Sequence, residues 1–218
     1  GGASTGKITS MTQMLKAAMP YSATHLKDAL SAYARDKDID CFIACVQGIP
    51  VAHRFIIRSI VTVENDSLVL CCTDCFMKRQ VAVKVPLVDT DTTRRAFLRE
   101  CCIYGLLAEV VEVQDIIHFP GLSENLVYCV MELLRGRILS KRLGEAQRGD
   151  PNALPPHDAA EICDALLHGV EECHRHGTIH MDLKPSCIWE VAQPAGVVVK
   201  ILDFGLARIT NAGVLTPE

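Results

Sequence analysis

The sequence predicts an α+β fold in two lobes, the first built on a five-stranded antiparallel sheet with one inserted helix and the second helical. Strand-like runs separated by turn-forming residues follow one another from residue 54 to residue 134. Helical spacing of apolar residues interrupts them once, over 89–107, and dominates again over 157–174. We therefore expect lobes at 53–134 and 135–218, behind a mostly helical N-terminal extension at 1–52.

The extension carries helical spacing over residues 10–37, interrupted at Pro20. In the part after Pro20, apolar residues recur with the helical period and form one face, at Leu26, Ala29, Leu30 and Tyr33. The short apolar run Cys41–Val46 is expected to be a buried strand ended by Gly48-Ile49-Pro50. No chemistry is expected in residues 1–52.

The first lobe contains five expected strands and one helix. Glu64-Asn65-Asp66-Ser67 is a cluster of turn formers between the first two strands. The helix, Asp89–Leu107, places Phe97, Cys101, Tyr104 and Ala108 on one stripe. The strands are expected at Arg54–Val63, Leu68–Cys72, Val81–Val85, Asp115–Phe119 and Leu126–Leu133.

The second lobe begins after Gly136 with the segment Leu139–Ala146 and a polar, proline-rich loop at Arg148–Pro156. A long helix is expected from about His157 to His174. Ile188–Trp189 and Val197–Ile201 are expected to form a pair of strands beyond it.

Composition and charge exclude several classes of protein. Hydrophobic residues make up 49% and charged residues 22%, which is ordinary for a globular protein. A net charge of -4 gives no basic face for nucleic acid. The chain has no apolar run long enough to span a bilayer and no apolar stretch typical of a signal peptide at its start. We expect an intracellular, cytoplasmic protein with neither a nucleic-acid partner nor a membrane span.

The eleven cysteines are an odd number scattered through apolar runs, which favours reduced thiols over disulfides. Cys72 and Cys75 form a CxxC, and Cys41 and Cys45 lie four residues apart. A structural zinc site needs four ligands in a defined geometry. We interpret the cysteines as small apolar side chains.

Two strings carry the chemistry. The first is His180-Met181-Asp182-Leu183-Lys184-Pro185, and the second, Asp203-Phe204-Gly205, begins twenty-one residues after Asp182. Val81-Ala82-Val83-Lys84 lies upstream on an expected strand. Each string alone is weak, but their order along the chain and the elements that carry them make a strong combined signal.

In this arrangement the chain resembles the eukaryotic protein kinases of serine/threonine type, from about Arg54 to its end. Phe97–Glu100 resembles the region of the glutamate on the helix called αC in that family. Val130–Gly136 resembles the hinge, and Cys173–His180 resembles the approach to the catalytic loop. The resemblance implies the two-lobe kinase fold with a partial second lobe.

The resemblance also implies ATP and Mg²⁺ as cofactors and a protein substrate bearing serine or threonine. Lys84 would reach the α- and β-phosphates and be held by Glu100. Asp203 would bind Mg²⁺, because a carboxylate is a hard ligand for a hard cation. Asp182 would accept or orient the substrate hydroxyl, and Lys184 would neutralise the γ-phosphate. The remaining nucleotide-binding positions are Leu68, Ala82, Met131 at the gatekeeper place, Glu132, Leu134 and Trp189.

The phosphate-binding loop departs from the family. The family has three glycines at roughly 61, 63 and 66, where this chain has Val61, Val63 and Asp66. Glycine lets backbone N–H groups approach a phosphate closely. We therefore expect weak ATP binding.

Three positions of the catalytic region also depart. Cys187 stands where the family has the asparagine that binds the second Mg²⁺, and a thiol is a soft ligand. Trp189 replaces a small aliphatic residue beneath the adenine, where an indole would fill the pocket or rotate and stack. Met181 replaces an arginine and cannot pair with an activation-loop phosphate.

The chain ends soon after these motifs, so we expect a truncated kinase domain. Thr216-Pro217-Glu218 resembles the segment just before the substrate-binding loop, with Thr216 as a hydroxyl partner of Asp182. The expected function is weak serine/threonine kinase activity. A pseudokinase acting as a binding or scaffold module is the alternative, and a truncated product that needs the rest of its chain to fold is a third.

Overall fold

The computed structural model describes residues 23–51, 54–64, 66–87, 90–107, 110, 116–123, 126–150, 154–193 and 196–210. The chain divides into two compact units: the first unit holds Gly1–Arg94 and His118–Leu133, and the second holds Arg95–Ile117 and Leu134–Glu218. The expected helix break at Pro20 and the expected role of Thr216 lie outside the described residues.

Two helices precede the sheet of the first unit, α1 at Ala23–Asp36 and α2 at Ile39–Val46. In α1 the residues Leu26, Leu30 and Tyr33 are buried, so the expected apolar face is confirmed.

The strand expected at Cys41–Val46 is wrong, because this run lies within α2. The Asp38 side chain accepts a hydrogen bond from Cys41 N at 2.9 Å and caps the helix. Phe42 and Val46, four residues apart, are the buried residues of α2. A short apolar run fits either a strand or a buried helix face, and here the cap decides between them.

The sheet of the first unit has six strands in the order β1-β2-β3-β4-β6-β5. All five expected strands are present, and the two-residue β1 extends the sheet at one edge. Each pairing whose register is described is antiparallel. The strands are β1 at Pro50–Val51, β2 at Phe55–Val63, β3 at Ser67–Asp74, β4 at Arg79–Pro86, β5 at Ile116–Ser123 and β6 at Leu126–Met131.

Helix α3, at Asp91–Leu106, follows β4 and confirms the helix expected there. Within the second unit, Ile103, Tyr104 and Leu107 enter an apolar cluster with Cys173, Ile201, Phe204 and Ala207. This cluster brings the end of α3 to the segment that carries Asp203.

The rest of the second unit is a pair of helices with short strands. α4 at Leu139–Gln147 and α5 at Pro156–Arg175 pack with Ile188 and Val199 through Leu139 and Ile162. One small sheet has the order β10-β9-β7 and another pairs β11 with β8. These strands are β7 at Gly136–Ile138, β8 at Thr178–Ile179, β9 at Ile188–Gln193, β10 at Gly196–Ile201 and β11 at Arg208–Ile209, with a 3₁₀ turn at Pro185–Cys187.

Among the described residues, no helix combines the length and the apolar character that crossing a bilayer requires.

Candidate active site

Lys84 lies on β4, in the interior of the sheet of the first unit. Its register partners are Val69 on β3 and Cys129 on β6. The residue is only 6% exposed, and burying an ammonium without a partner is costly. Its Nζ lies 2.9 Å from Glu64 Oε2. The lysine expected to reach phosphate therefore has a carboxylate directly beside its ammonium.

Glu64 belongs to the turn between β2 and β3, where the family's glycines are missing. Its backbone N–H donates to Ser67 O at 2.9 Å, and Ser67 Oγ donates to Glu64 Oε2 at 2.5 Å. In the sequence, Glu64 is recognisable only as part of a cluster of turn formers. Its contact with Lys84 depends on the register of β3 against β4 and on the closed turn, so no motif in the sequence predicts it.

Four expected nucleotide-lining residues lie in the first unit. Leu68 on β3, Ala82 on β4 and Met131 on β6 are buried, and Ala82 is directly opposite Met131 in the register. Glu132 is half-buried and follows β6. The sheet therefore brings Ala82 and Met131 together as neighbours, while Leu68 pairs with Val85.

Asp182 and Lys184 lie together on the loop after β8, in the second unit. Lys184 Nζ is 2.5 Å from Asp182 Oδ2, and both side chains are partly exposed to solvent. The hydrogen bond to Asp182 raises the pKa of the Lys184 ammonium. This loop is held by His180, whose Nε2 lies 2.9 Å from Leu202 O and whose Nδ1 accepts from Asp182 N at 3.4 Å.

Asp203 adopts a left-handed backbone conformation, with φ of 66°, which few residues other than glycine tolerate. Its N–H donates to the Tyr104 hydroxyl at 2.9 Å. The next residue, Phe204, is fully buried, with its ring centroid 5.3 Å from that of Tyr104 and 4.7 Å from that of His180. The aromatic contacts fix the segment, and the Tyr104 hydrogen bond orients Asp203. The helical spacing that places Tyr104 on α3 does not predict this contact.

Cys187 lies between the two aspartates. Its Sγ is 3.5 Å from Asp182 O and 3.9 Å from Asp203 Oδ2. Its backbone also joins the two loops, because its N–H donates to Lys184 O and its carbonyl accepts from Leu202 N, both at 2.8 Å. Burial, and next the negative charge of Asp203, raise the pKa of the Cys187 thiol.

These residues fit one Mg²⁺ better than two. Mg²⁺ is commonly bound through one or two carboxylates plus the phosphates of a substrate, and Asp203 supplies such a carboxylate. The raised pKa keeps Cys187 a neutral, soft thiol where a second Mg²⁺ needs an oxygen. Within the described ranges, no three His, Cys, Asp or Glu residues form a group suited to a metal. Asp203 would hold one Mg²⁺, and Cys187 does not fit a second.

The remaining expected residues also lie in the second unit. Trp189 on β9 is half-buried, pairs with Ile138 on β7, and has its indole Nε1 buried without a hydrogen-bond partner in the described part of the chain. Leu134 is half-buried before β7. Glu100 on α3 is 8% exposed. Its ion pair with Lys84 stays a prediction, because the two residues belong to different units.

Comparison with known proteins gives one family. The family model described as "Protein kinase domain" matches residues 51–217. A protein of Corynebacterium glutamicum named "Probable serine/threonine-protein kinase PknB" is 30% identical over 166 residues, covering 74% of this chain and 24% of that protein. A "Probable serine/threonine-protein kinase" of Clostridium acetobutylicum is 27% identical over 174 residues, covering 78% of this chain and 25% of that protein.

A mammalian protein matches a shorter stretch. "Sperm motility kinase 3A" of Mus musculus is 36% identical over 91 residues, covering 42% of this chain and 16% of that protein. In the two bacterial matches, the chain spans about a quarter of the length of its relative.

Proposed function

Because this chain belongs to the protein kinase family, we propose that it transfers the γ-phosphoryl group of ATP to serine or threonine hydroxyls of a protein, at a low rate. The observation that carries the proposal is the grouping of Asp182, Lys184 and Asp203 around Cys187 in the second unit. In phosphoryl transfer the protein itself does little covalent chemistry. The reaction depends on positioned charge and on an oriented hydroxyl. This group of side chains supplies both.

Each charged residue has a distinct task. Asp182 accepts the proton of the serine or threonine hydroxyl as that oxygen bonds to phosphorus and the bond to the β-phosphate oxygen breaks, releasing ADP. Lys184, 2.5 Å from Asp182, adds positive charge beside the transferred group. Lys84 of the first unit would bind phosphate oxygens, and Asp203 of the second unit would hold Mg²⁺. When bound, Mg²⁺ neutralises charge on the phosphate oxygens.

The acceptor and the compartment are proposed on separate grounds. Lys184 resembles the pattern of serine/threonine kinases, and both bacterial relatives carry that name. The eleven cysteines are all free thiols, which supports a reducing, intracellular compartment.

The low rate follows from three departures from the family pattern, each in a different part of the nucleotide site. Val61 and Val63 remove the flexible backbone that approaches phosphate. Cys187 replaces an oxygen ligand, and Trp189 adds bulk beneath the adenine. Losing one electrostatic contact at a transition state costs about 3 kcal/mol, or roughly a hundredfold in rate. Such losses multiply only when the sites are independent.

The alternative is a pseudokinase that serves as a binding module. The specific observation in its favour is the Glu64 carboxylate 2.9 Å from Lys84 Nζ, together with the thiol beside Asp203. Under this alternative the chain keeps the fold, and its folded state binds Mg·ATP negligibly.

A thermal-shift titration separates the two functions, because a ligand that binds only the folded state raises Tm with its concentration. We expect millimolar Mg·ATP to raise the Tm of the chain and Asp203→Asn to remove the dependence on Mg²⁺. Asp164→Asn, an exposed position on α5, is the matched control and should behave as the unaltered chain. No shift at millimolar Mg·ATP in a folded chain would favour the pseudokinase.

A further inference from the structure

The ion pair between Lys84 and Glu64 is formed within the first unit. The Lys84 side chain is 8% exposed and the Glu64 side chain is 33% exposed. The ammonium has three donors, and at 2.9 Å one of them points at Glu64 Oε2. Lys84 makes further interactions as well. Glu64 therefore accepts from one of the three N–H donors of a buried ammonium.

Glu64 is held in this position by its own turn. Ser67 is 2% exposed and donates its hydroxyl proton to the same Oε2 that meets Lys84. The backbone hydrogen bond from Glu64 N to Ser67 O closes the turn between β2 and β3. A side chain fixed by a buried hydroxyl and by its own backbone loses little further entropy on pairing. The contact is therefore built into the turn.

A carboxylate oxygen of Glu64 and an oxygen of a phosphate can bind the Lys84 ammonium in the same way, because each is an anionic acceptor for a charge-assisted hydrogen bond. A phosphate that reached Lys84 would meet the negative charge of Glu64 at short range. Like charges a few ångströms apart repel strongly near a protein surface. An uncharged ligand such as adenosine would meet no such repulsion.

We propose that Glu64 determines the ligand specificity of this site, by occupying beside Lys84 the place of a phosphate oxygen and so selecting against the phosphate chain of a nucleotide. This inference rests on the proposed function, because it assumes that Lys84 serves a nucleotide site. The simpler account is that the pair only stabilises the turn. The two accounts differ in whether removing the charge changes the affinity for ATP more than the affinity for adenosine.

The test measures the affinity of the full chain for Mg·ATP and for adenosine in three variants. Glu64→Gln keeps the shape and the hydrogen-bonding oxygen and removes the charge. Glu171→Gln removes one charge from an exposed pair with Arg175 on α5 and controls for net charge. Ser67→Ala removes the hydroxyl that holds the carboxylate.

We expect Glu64→Gln to bind Mg·ATP roughly tenfold more tightly than the unaltered chain, because the substitution removes a negative charge that repels the phosphates at short range. Its affinity for adenosine should stay within about twofold. The affinity of Ser67→Ala for Mg·ATP should lie between those of Glu64→Gln and the unaltered chain. The affinity of Glu171→Gln should equal that of the unaltered chain. The gain should shrink as salt rises from about 0.05 M to 0.5 M, because salt screens a partly exposed charge.

Equal affinity for ATP in Glu64→Gln and the unaltered chain would overturn the inference. If adenosine binds and no variant changes the affinity for ATP relative to adenosine, the inference alone is overturned. If neither ligand binds any variant, the proposed function is overturned with it.

Discussion

At the scale of single residues, two non-glycine positions of the second unit adopt left-handed backbone conformations. Met181 has φ of 67° and Asp203 has φ of 66°. Such a conformation costs a non-glycine residue on the order of 1–3 kcal/mol and persists only where its surroundings hold it. Met181 directly precedes Asp182, and Asp203 is held by Tyr104. In the described part of the second unit, these two strained positions therefore lie at or beside the carboxylates that the proposed chemistry uses.

Cys187 is the residue whose change should most improve metal binding. In Cys187→Asn an amide oxygen replaces the neutral thiol beside Asp203, and we expect Mg²⁺-dependent ATP binding to tighten roughly tenfold. The affinity is measured by titrating Mg²⁺ at fixed ATP, with Tm as a check on folding. Cys163→Asn, at an exposed position of α5, should leave the affinity unchanged. Equal Mg²⁺ affinity in Cys187→Asn and the unaltered chain would show that this position is not near the metal.

Cys72 on β3 predicts a pH dependence of stability. The thiol is fully buried, and burial raises its pKa above the ordinary value of 9.0. A raised pKa in the folded state contributes stability below the unfolded pKa and loses it as pH rises, because only the unfolded thiol ionises. Each pKa unit corresponds to about 1.4 kcal/mol.

We therefore expect the free energy of unfolding to fall between about pH 8 and pH 10, and to fall less in Cys72→Ala, whose lower baseline stability does not affect the slope. Denaturant titrations at several pH values measure it. Cys163→Ala, which removes an exposed thiol, is the control. Identical slopes for Cys72→Ala and the unaltered chain would contradict the assignment.

At the scale of elements, the pairing of β7 with β9 depends on Gly136. A Cβ at this position would lie 1.8 Å from Glu190 O and 3.1 Å from Trp189 Nε1. Gly136→Ala must therefore push the strands apart, and we expect a loss of about 1–3 kcal/mol. Gly144 in α4 is the matched control, since its Cβ would meet only the flexible end of Arg148 at 3.5 Å.

Gly144→Ala should stabilise the chain by roughly 0.5–1 kcal/mol, because alanine is the better helix former. Urea denaturation of the two variants measures both effects. Opposite signs are the expected result. A Gly136→Ala variant as stable as the unaltered chain would show that β7 and β9 are not paired as described.

A buried ion cluster joins α4, α5 and β9. Arg142 is 3% exposed and donates to Glu190 Oε2 at 2.6 Å and to Asp158 Oδ2. Removing one partner from a buried pair leaves an uncompensated charge and costs about 3–5 kcal/mol. We expect this loss in Arg142→Met, measured by denaturant titration. Lys141→Met, at the exposed neighbouring position, should cost less than about 0.5 kcal/mol. A small loss in Arg142→Met would contradict the cluster.

The elements also show where a sequence pattern is sufficient. The long helix α5 and strands β2 to β4 follow from their periodicity and from the turn formers between them. The run Cys41–Val46 does not, because six apolar residues fit both periods, and the deciding feature is the cap at Asp38. The three-residue strand β7 has too few residues to show any period.

At the scale of the whole molecule, the motifs predict which residues carry chemistry but not every neighbour they meet. Asp182, Lys184 and Asp203 are recognisable because their order and spacing are characteristic of one family. Glu64 is not, because its contact with Lys84 requires the β3–β4 register and the closed turn at Ser67. Contacts set by register are invisible to a motif that is read along the chain.

Phosphoryl transfer by Asp182, Lys184 and Asp203 is tested by the rate at which labelled γ-phosphate of ATP passes to a mixture of serine, threonine and tyrosine peptides. We expect a slow rate on serine and threonine peptides that falls at least about a hundredfold in Asp182→Asn. Asp164→Asn should retain the full rate. A rate equal in Asp182→Asn and the unaltered chain, or no transfer above background by a folded chain that binds Mg·ATP, would contradict the account.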